Sequence, residues 1–431
     1  MLTTSSQLIT LLSLLLLTLP ADAQRDRCGT PERVSMPQGF SAVPSDCGYS
    51  TNSPQSEYDP TFFYDIPVVF HVIQDNSGEG YLSPETIQDQ IDILNEDFQA
   101  LPGSPGAPGT AGQIRFHLAT VDPAGSPSTG ITYSMNNNWF QDSGNYWDPL
   151  AWDTNRYLNI YTNAVPCCYG YAYVPQSGGV VGQSIDRVVL WWEAVGGDPT
   201  AGWPGNQGRT ATHELGHSLG LWHTFDSGCG SAANCDTEGD LICDTNNEAS
   251  ATHGCPGSKD SCGDPDPIHN YMDYTDDACM WEFTPEQVNR MRCTLENWRP
   301  DVFVSVTPQE TVRLGNPPNP NALLPGQTSG PVAAAVWDPV VDHGSFVPGA
   351  VVDYLILSIS PVEIPLGLKG TLLCGVPFLL VIPNLVPGSP YAIPVPNDGS
   401  LLGIEFCAQA ASSAGGTQFQ LTNALDCTIG N

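Results

Sequence analysis

Hydrophobic and polar positions along the chain change period several times. Residues 66–73 form an apolar, β-branched run that predicts a buried strand. Ser83-Pro84-Glu85 then opens a helix, with Ser83 as N-cap and Pro84 at the first helical position. Ile87, Ile91, Leu94 and Phe98 recur on one face of it. A Gly/Pro loop over 102–112 leads into an alternating strand at 114–119. Further strands are predicted at 157–161 and 188–192, which together with the helix make a mixed α/β layer. A last helix opens at Thr284-Pro285 and carries Val288, Met291 and Leu295 as its apolar stripe. From about residue 303 helical periodicity vanishes. Short apolar runs at 352–359, 371–382 and 401–408, punctuated by Pro and Gly after a linker at 316–320, predict an all-β, sandwich-like domain. Residues 24–60 show no period.

The N-terminus reads differently. An apolar run at 8–17 is too short to span a bilayer, and Ala21-Asp22-Ala23 follows it as a small-x-small cleavage site. Residues 1–23 are therefore expected to be a secretory signal peptide, which also explains 14 cysteines in 431 residues. The other long apolar run, 371–386, is broken by Gly375, Pro377 and Pro383, so no membrane span is expected. The chain has 46 acidic and 13 basic residues, a net charge of −33. That balance argues against nucleic acid and anionic membranes, which need a basic face. The resulting division is a signal peptide (1–23), a pro-segment (24–60), a catalytic domain (61–302) and a β-rich accessory domain (303–431).

The chemistry concentrates in His213-Glu214-Leu215-Gly216-His217 and the residues after it. His213 and His217 lie one helical turn apart, so two imidazoles reach one metal ion. Gly220 can take the left-handed conformation that ends the helix and returns His223 to the same ion. Three neutral nitrogens with an open fourth position are the pattern of a catalytic zinc. Glu214 is placed to take a proton from water.

This motif, with Asn270-Tyr271-Met272-Asp273-Tyr274, resembles the metzincin zinc peptidases. Gly239-Asp240-Leu241-Ile242-Cys243-Asp244-Thr245 and Asp276-Asp277-Ala278-Cys279-Met280 narrow the resemblance to the pappalysin family, over roughly residues 60–300. The resemblance implies a secreted endopeptidase acting on protein or peptide. It implies a twisted mixed sheet and an active-site helix above a cleft, with loops, a Met-turn and the last helix below. Met272 matches the structural methionine under the zinc, and Tyr274 the tyrosine that stabilises the reaction intermediate. The resemblance pairs Cys235 with Cys262 and Cys255 with Cys279, leaving Cys229 and Cys243 as an extra pair. It also implies structural calcium, for which Asp240, Thr245 and Glu248 offer hard oxygens; the alternatives there are a solvated acidic loop or a structural zinc on the cysteines. Arg27-Cys28-Gly29-Thr30 resembles a zymogen cysteine switch, in which Cys28 ligates the zinc until the leader is cut. The competing assignment is a Cys28–Cys47 disulfide. Adjacent Cys167 and Cys168 are expected to pair with different partners, and His71 and His117 to be core or edge residues. A second reading makes the chain an extracellular binding or adhesion protein, with residues 303–431 contacting carbohydrate or a cell surface.

Overall fold

The structure is a computed structural model that describes residues 25–31, 63–175, 180–235, 238–397, 401–415 and 419–431. The expected signal peptide and most of the pro-segment, Cys47 included, lie outside the described residues.

The elements follow one another as β1 (Asp26–Cys28), β2 (Tyr64–Gln74), α1 (Pro84–Gln99), β3 (Ile114–Leu118), β4 (Ile131–Met135), two short helices α2 (Asn137–Phe140) and α3 (Trp147–Leu150), then β5 (Leu158–Asn163), β6 (Cys168–Tyr171), β7 (Val188–Trp191), α4 (Arg209–Ser218) and α5 (Pro285–Trp298). β2 is the spine of a mixed sheet. Parallel neighbours β3 and β4 lie along one edge of it and parallel β5 along the other. β7 continues the parallel set beside β5, and antiparallel β6 follows with β1 at its outer side. A strand covered on both faces reads as a continuous apolar run, which is why β2 lacks alternation. Helix α1 starts where Ser83 accepts from the Thr86 amide at 3.2 Å. Its stripe of Ile87, Ile91, Leu94 and Phe98 packs into one core with Val68, Phe70, Leu215, Met272 and Met291. Thr284 caps α5 in a reciprocal capping box with Gln287.

Residues beyond 303 build a five-stranded antiparallel sheet from Gln309–Arg313, Val352–Ser358, Leu380–Asn384, Glu405–Ser413 and Gln420–Thr428. Short two-stranded ribbons lie over it. Leu355, Ala408 and Leu425 face Leu323, Trp337 and Phe346, while Ile356, Cys407 and Ala424 face Leu373 and Cys374 on the opposite side. The run expected as one strand over 371–382 is two, Thr371–Cys374 and Leu380–Asn384. Gly375 and Pro377 interrupt it, and proline has no N–H to donate to a ladder. This region touches the first core through Asn431, whose Nδ2 donates to the Phe63 and Val304 carbonyls at 2.6 and 2.9 Å. Asn397 adds bonds to Gln99 and to Arg115, which also pairs with buried Asp65.

The disulfides differ from the expected set. Cys255 joins Cys279, but Cys235 joins Cys243 and Cys229 joins Cys262. The loop folds back tightly enough to bring the Cα atoms of Cys235 and Cys243 to 4.9 Å, within disulfide reach, so neither the Cys235–Cys262 nor the Cys229–Cys243 pairing forms. Cys167 and Cys168 bond to each other rather than to separate partners.

Candidate metal centre

Helix α4 is buried along its whole length. Its N-terminus is held by Asp277, whose Oδ2 accepts from the Gln207 and Arg209 amides at 2.9 and 3.1 Å. Its C-terminus closes where the Leu221 amide returns to the Gly216 carbonyl at 3.0 Å, a path that requires the positive φ of Gly220. That turn swings His223 back beside His217.

The three imidazoles are aimed by their far nitrogens. His213 Nδ1 donates to the Tyr271 carbonyl at 2.6 Å and His217 Nδ1 to the Leu221 carbonyl at 2.8 Å. The Nε2 atoms then converge, at 3.2 Å between His213 and His217 and 3.0 Å between His217 and His223. Burial drives His213 and His223 well below the usual imidazole range and brings His217 down to about 4, so all three rings are neutral. Lone pairs aimed at one another repel unless a cation lies between them, so the donor set fits a zinc ion. Cys28 Sγ completes the ring at 3.5 Å from His217 Nε2, and the four ligand atoms all lie within 4.8 Å of one another. Cys28 is a free cysteine, which removes the Cys28–Cys47 disulfide from consideration.

Glu214 sits beside this cluster, fully buried. Its Oε2 accepts from Thr30 Oγ1 at 3.1 Å and lies 3.5 Å from Cys28 Sγ, while Oε1 has no hydrogen-bonding partner among the described residues. Burial pushes the carboxyl up to about 8. The Tyr274 hydroxyl stands 3.3 Å from His223 Nε2, and burial raises its pKa. Met272 is wholly buried under α4; a Cβ on Gly216 would come within 2.4 Å of its Sδ, so only glycine allows this approach. Asn270, doubly bonded to Gln287 of α5, fixes the turn that carries Met272 by accepting from its amide at 3.0 Å.

Cys28 arrives on β1, which pairs parallel to β6 with Cys28 opposite Gly170. Arg27 holds it there through a buried ion pair with Asp277 at 2.6 Å. The anchors Arg27, Thr30 and Asp277 were not identified from sequence; only the fold shows that an N-terminal tetrapeptide meets the residue capping the active-site helix. The residues expected to hold calcium have partners within the protein. Thr245 Oγ1 donates to Asp240 at 2.8 Å. Glu248 accepts from Thr224, Thr252 and the Lys259 ammonium, the last at 3.0 Å.

Residues 146–296 match the sequence model of the M43 peptidases, described as pregnancy-associated plasma protein-A. An extracellular metalloprotease of Verticillium alfalfae is 37% identical over 246 residues, which is 54% of this chain and 76% of that protein. One from Pyricularia oryzae is 36% identical over 243 residues, 54% of this chain and 76% of the relative. Mature mirolysin of Tannerella forsythia, solved with a cleaved peptide, is 35% identical; the match covers 57% of this chain and 97% of mirolysin, with a TM-score of 0.49.

Proposed function

The chain belongs to the pappalysin family of zinc metalloendopeptidases, and from that premise we propose that His213, His217 and His223 hold the catalytic zinc, that Glu214 is the general base, and that Cys28 keeps the enzyme latent. The observation that carries this reading is the convergence of three aimed Nε2 atoms and one thiol beside a buried carboxyl with one unpartnered oxygen. Zinc held there supplies Lewis acidity, acidifying a water and polarising the carbonyl of the bond to be cut. Glu214 takes the proton of that water and passes it to the leaving amine. Its lone pair at Oε1 is available for this because no side chain competes for it. The Tyr274 hydroxyl donates to the developing oxyanion, where its burial strengthens the bond. Met272 supports the three ligands from below without taking part.

With the arm in place, the Cys28 thiol would occupy the fourth ligand position, and Thr30 donates to Glu214. Water and substrate are both excluded until the arm leaves. Residues 24–60 thus act as the pro-segment, residues 1–23 as a signal peptide and 303–431 as an accessory domain to the catalytic 61–302. Extracellular relatives support secretion, and among the described residues no helix is long and apolar enough to cross a membrane. Asp240, Thr245 and Glu248 are the candidate calcium ligands; a higher Tm on adding calcium to chelated protein tests them. No observation favours the adhesion reading or a carbohydrate contact.

Processed wild type and Glu214→Ala are compared on a denatured protein substrate. Cleavage by the wild type alone, lost on zinc chelation, is the expected result. Equal activity in the variant refutes the role of Glu214.

A further inference from the structure

The arm that carries Cys28 is held by a second arginine, at a place the chemistry above does not use. Three residues before Cys28, the Arg25 guanidinium lies 4.3 Å from the centre of the Trp191 ring. Its Nη1 donates to the Ala164 carbonyl at 2.9 Å and also to that of Val165. Trp191 does not stand alone. Trp203 packs against it with ring centres 5.1 Å apart, and Tyr169 stacks on Trp191 and meets Trp203 edge-on at 5.0 Å. Glu193, two residues beyond Trp191, adds a negative charge close enough to feel the guanidinium.

These parts suit one side chain. An aromatic face attracts a cation, and a planar guanidinium stacks on it while its edge N–H groups reach the carbonyls. A lysine ammonium has no plane to stack. The elements are those against which the arm lies: Tyr169 is on β6, the strand along which β1 runs, and Trp191 ends the adjacent β7. Extended chain rises about 3.3 Å per residue, so Arg25 sits roughly 10 Å along the arm from the Cys28 thiol.

The geometry points to a substrate subsite built from Trp191, Trp203, Tyr169 and the carbonyls of Ala164 and Val165, which selects an arginine three residues from the bond that is cut. Arg25 fills it in the latent form and vacates it with the arm. The inference rests on the reading of Cys28 as a latency ligand and gives the cleft its preference.

The test uses processed Glu214→Ala protein, verified by mass spectrometry to lack residues up to Thr30. Matched peptides carry arginine, lysine or norleucine at the third position on either side of one cleavable bond. Binding is followed by tryptophan fluorescence, and cleavage by processed wild type is measured in parallel. Arginine at one of the two third positions is expected to bind about tenfold tighter than norleucine, with lysine between them. Trp203→Ala, in a loop outside the sheet, is expected to abolish that preference, bringing the arginine peptide down to the norleucine peptide. Equal binding of the three peptides, or a preference that survives both Trp203→Ala and Trp191→Leu, overturns the subsite. Failure of the peptidase reading shows itself separately, as wild type that binds with the preference but cleaves nothing.

Discussion

Arg299 joins three parts of the catalytic region, so its removal reports on how they are held. It caps the C-terminus of α5, and its guanidinium forks onto Asp186 with N–H donors at 2.6 and 2.7 Å. Its Nε donates to the Ser218 carbonyl at 3.1 Å, next to His217. Both side chains of the pair are almost fully buried, 3% and 4% exposed. Arg299→Ala strips Asp186 of its counter-charge without returning it to water. Breaking a buried pair in this way costs about 3–5 kcal/mol. The orphaned Ser218 carbonyl adds to that, though not independently, and about 4 kcal/mol is expected in total. Arg299→Lys keeps the charge but cannot reach both carboxylate oxygens and the carbonyl, so about half of the loss is expected. Arg299→Met with Asp186→Asn removes both charges together and recovers most of the stability. The assay is urea unfolding followed by tryptophan fluorescence, in a Glu214→Ala background that prevents self-cleavage. A loss below about 1 kcal/mol in Arg299→Ala, within the range of an exposed ion pair, refutes the argument.

Two further perturbations test other parts of the molecule. His71 is buried between Thr132 and Asn159, bonded at 2.8 and 2.9 Å, and burial lowers its pKa to about 4. The folded value lies below the unfolded one, so its contribution is complete above pH 6.5 and is lost as pH falls toward 4, by about 3 kcal/mol. His71→Gln is expected to flatten the acid limb in urea midpoints measured from pH 7 to 4, and an unchanged slope contradicts this. Lys259 Nζ sits among oxygens of Glu248, Ser250, Thr252 and Asp266, at 3.0, 2.7, 2.9 and 3.2 Å. Lys259→Met leaves the buried Glu248 with hydroxyl partners only, and a loss of about 2 kcal/mol is expected. Faster limited proteolysis between Cys229 and Asp266 is the readout; proteolysis at the wild-type rate argues that the disulfides alone hold the loop.

The sequence by itself determined those features that depend on neighbours along the chain. The two helix starts at Ser83 and Thr284 were legible because capping is a matter of three residues. The approach of His213 to His217 was legible because helical geometry alone sets it, and the return of His223 because a glycine placed after the helix allows one kind of turn. The β2 run declared its burial, and the loss of helical period after 303 declared a second kind of structure. Tertiary structure decided everything set by contacts across the chain. Six cysteines in one loop admit many pairings, and only the folded path of residues 229–262 brings Cys235 to Cys243 and Cys229 to Cys262. That Glu248 meets Lys259, from farther along the loop, was likewise set by the fold. Arg25 carries no motif that distinguishes it from any polar leader, and the motif Arg27-Cys28-Gly29-Thr30 names no partner for Arg27 or Thr30. Their roles exist because β1 lies along β6, which places Arg27 on Asp277, Thr30 on Glu214 and Arg25 against Trp191. Such placements span more than 130 residues of sequence in each case, and no local pattern encodes a partner that distant.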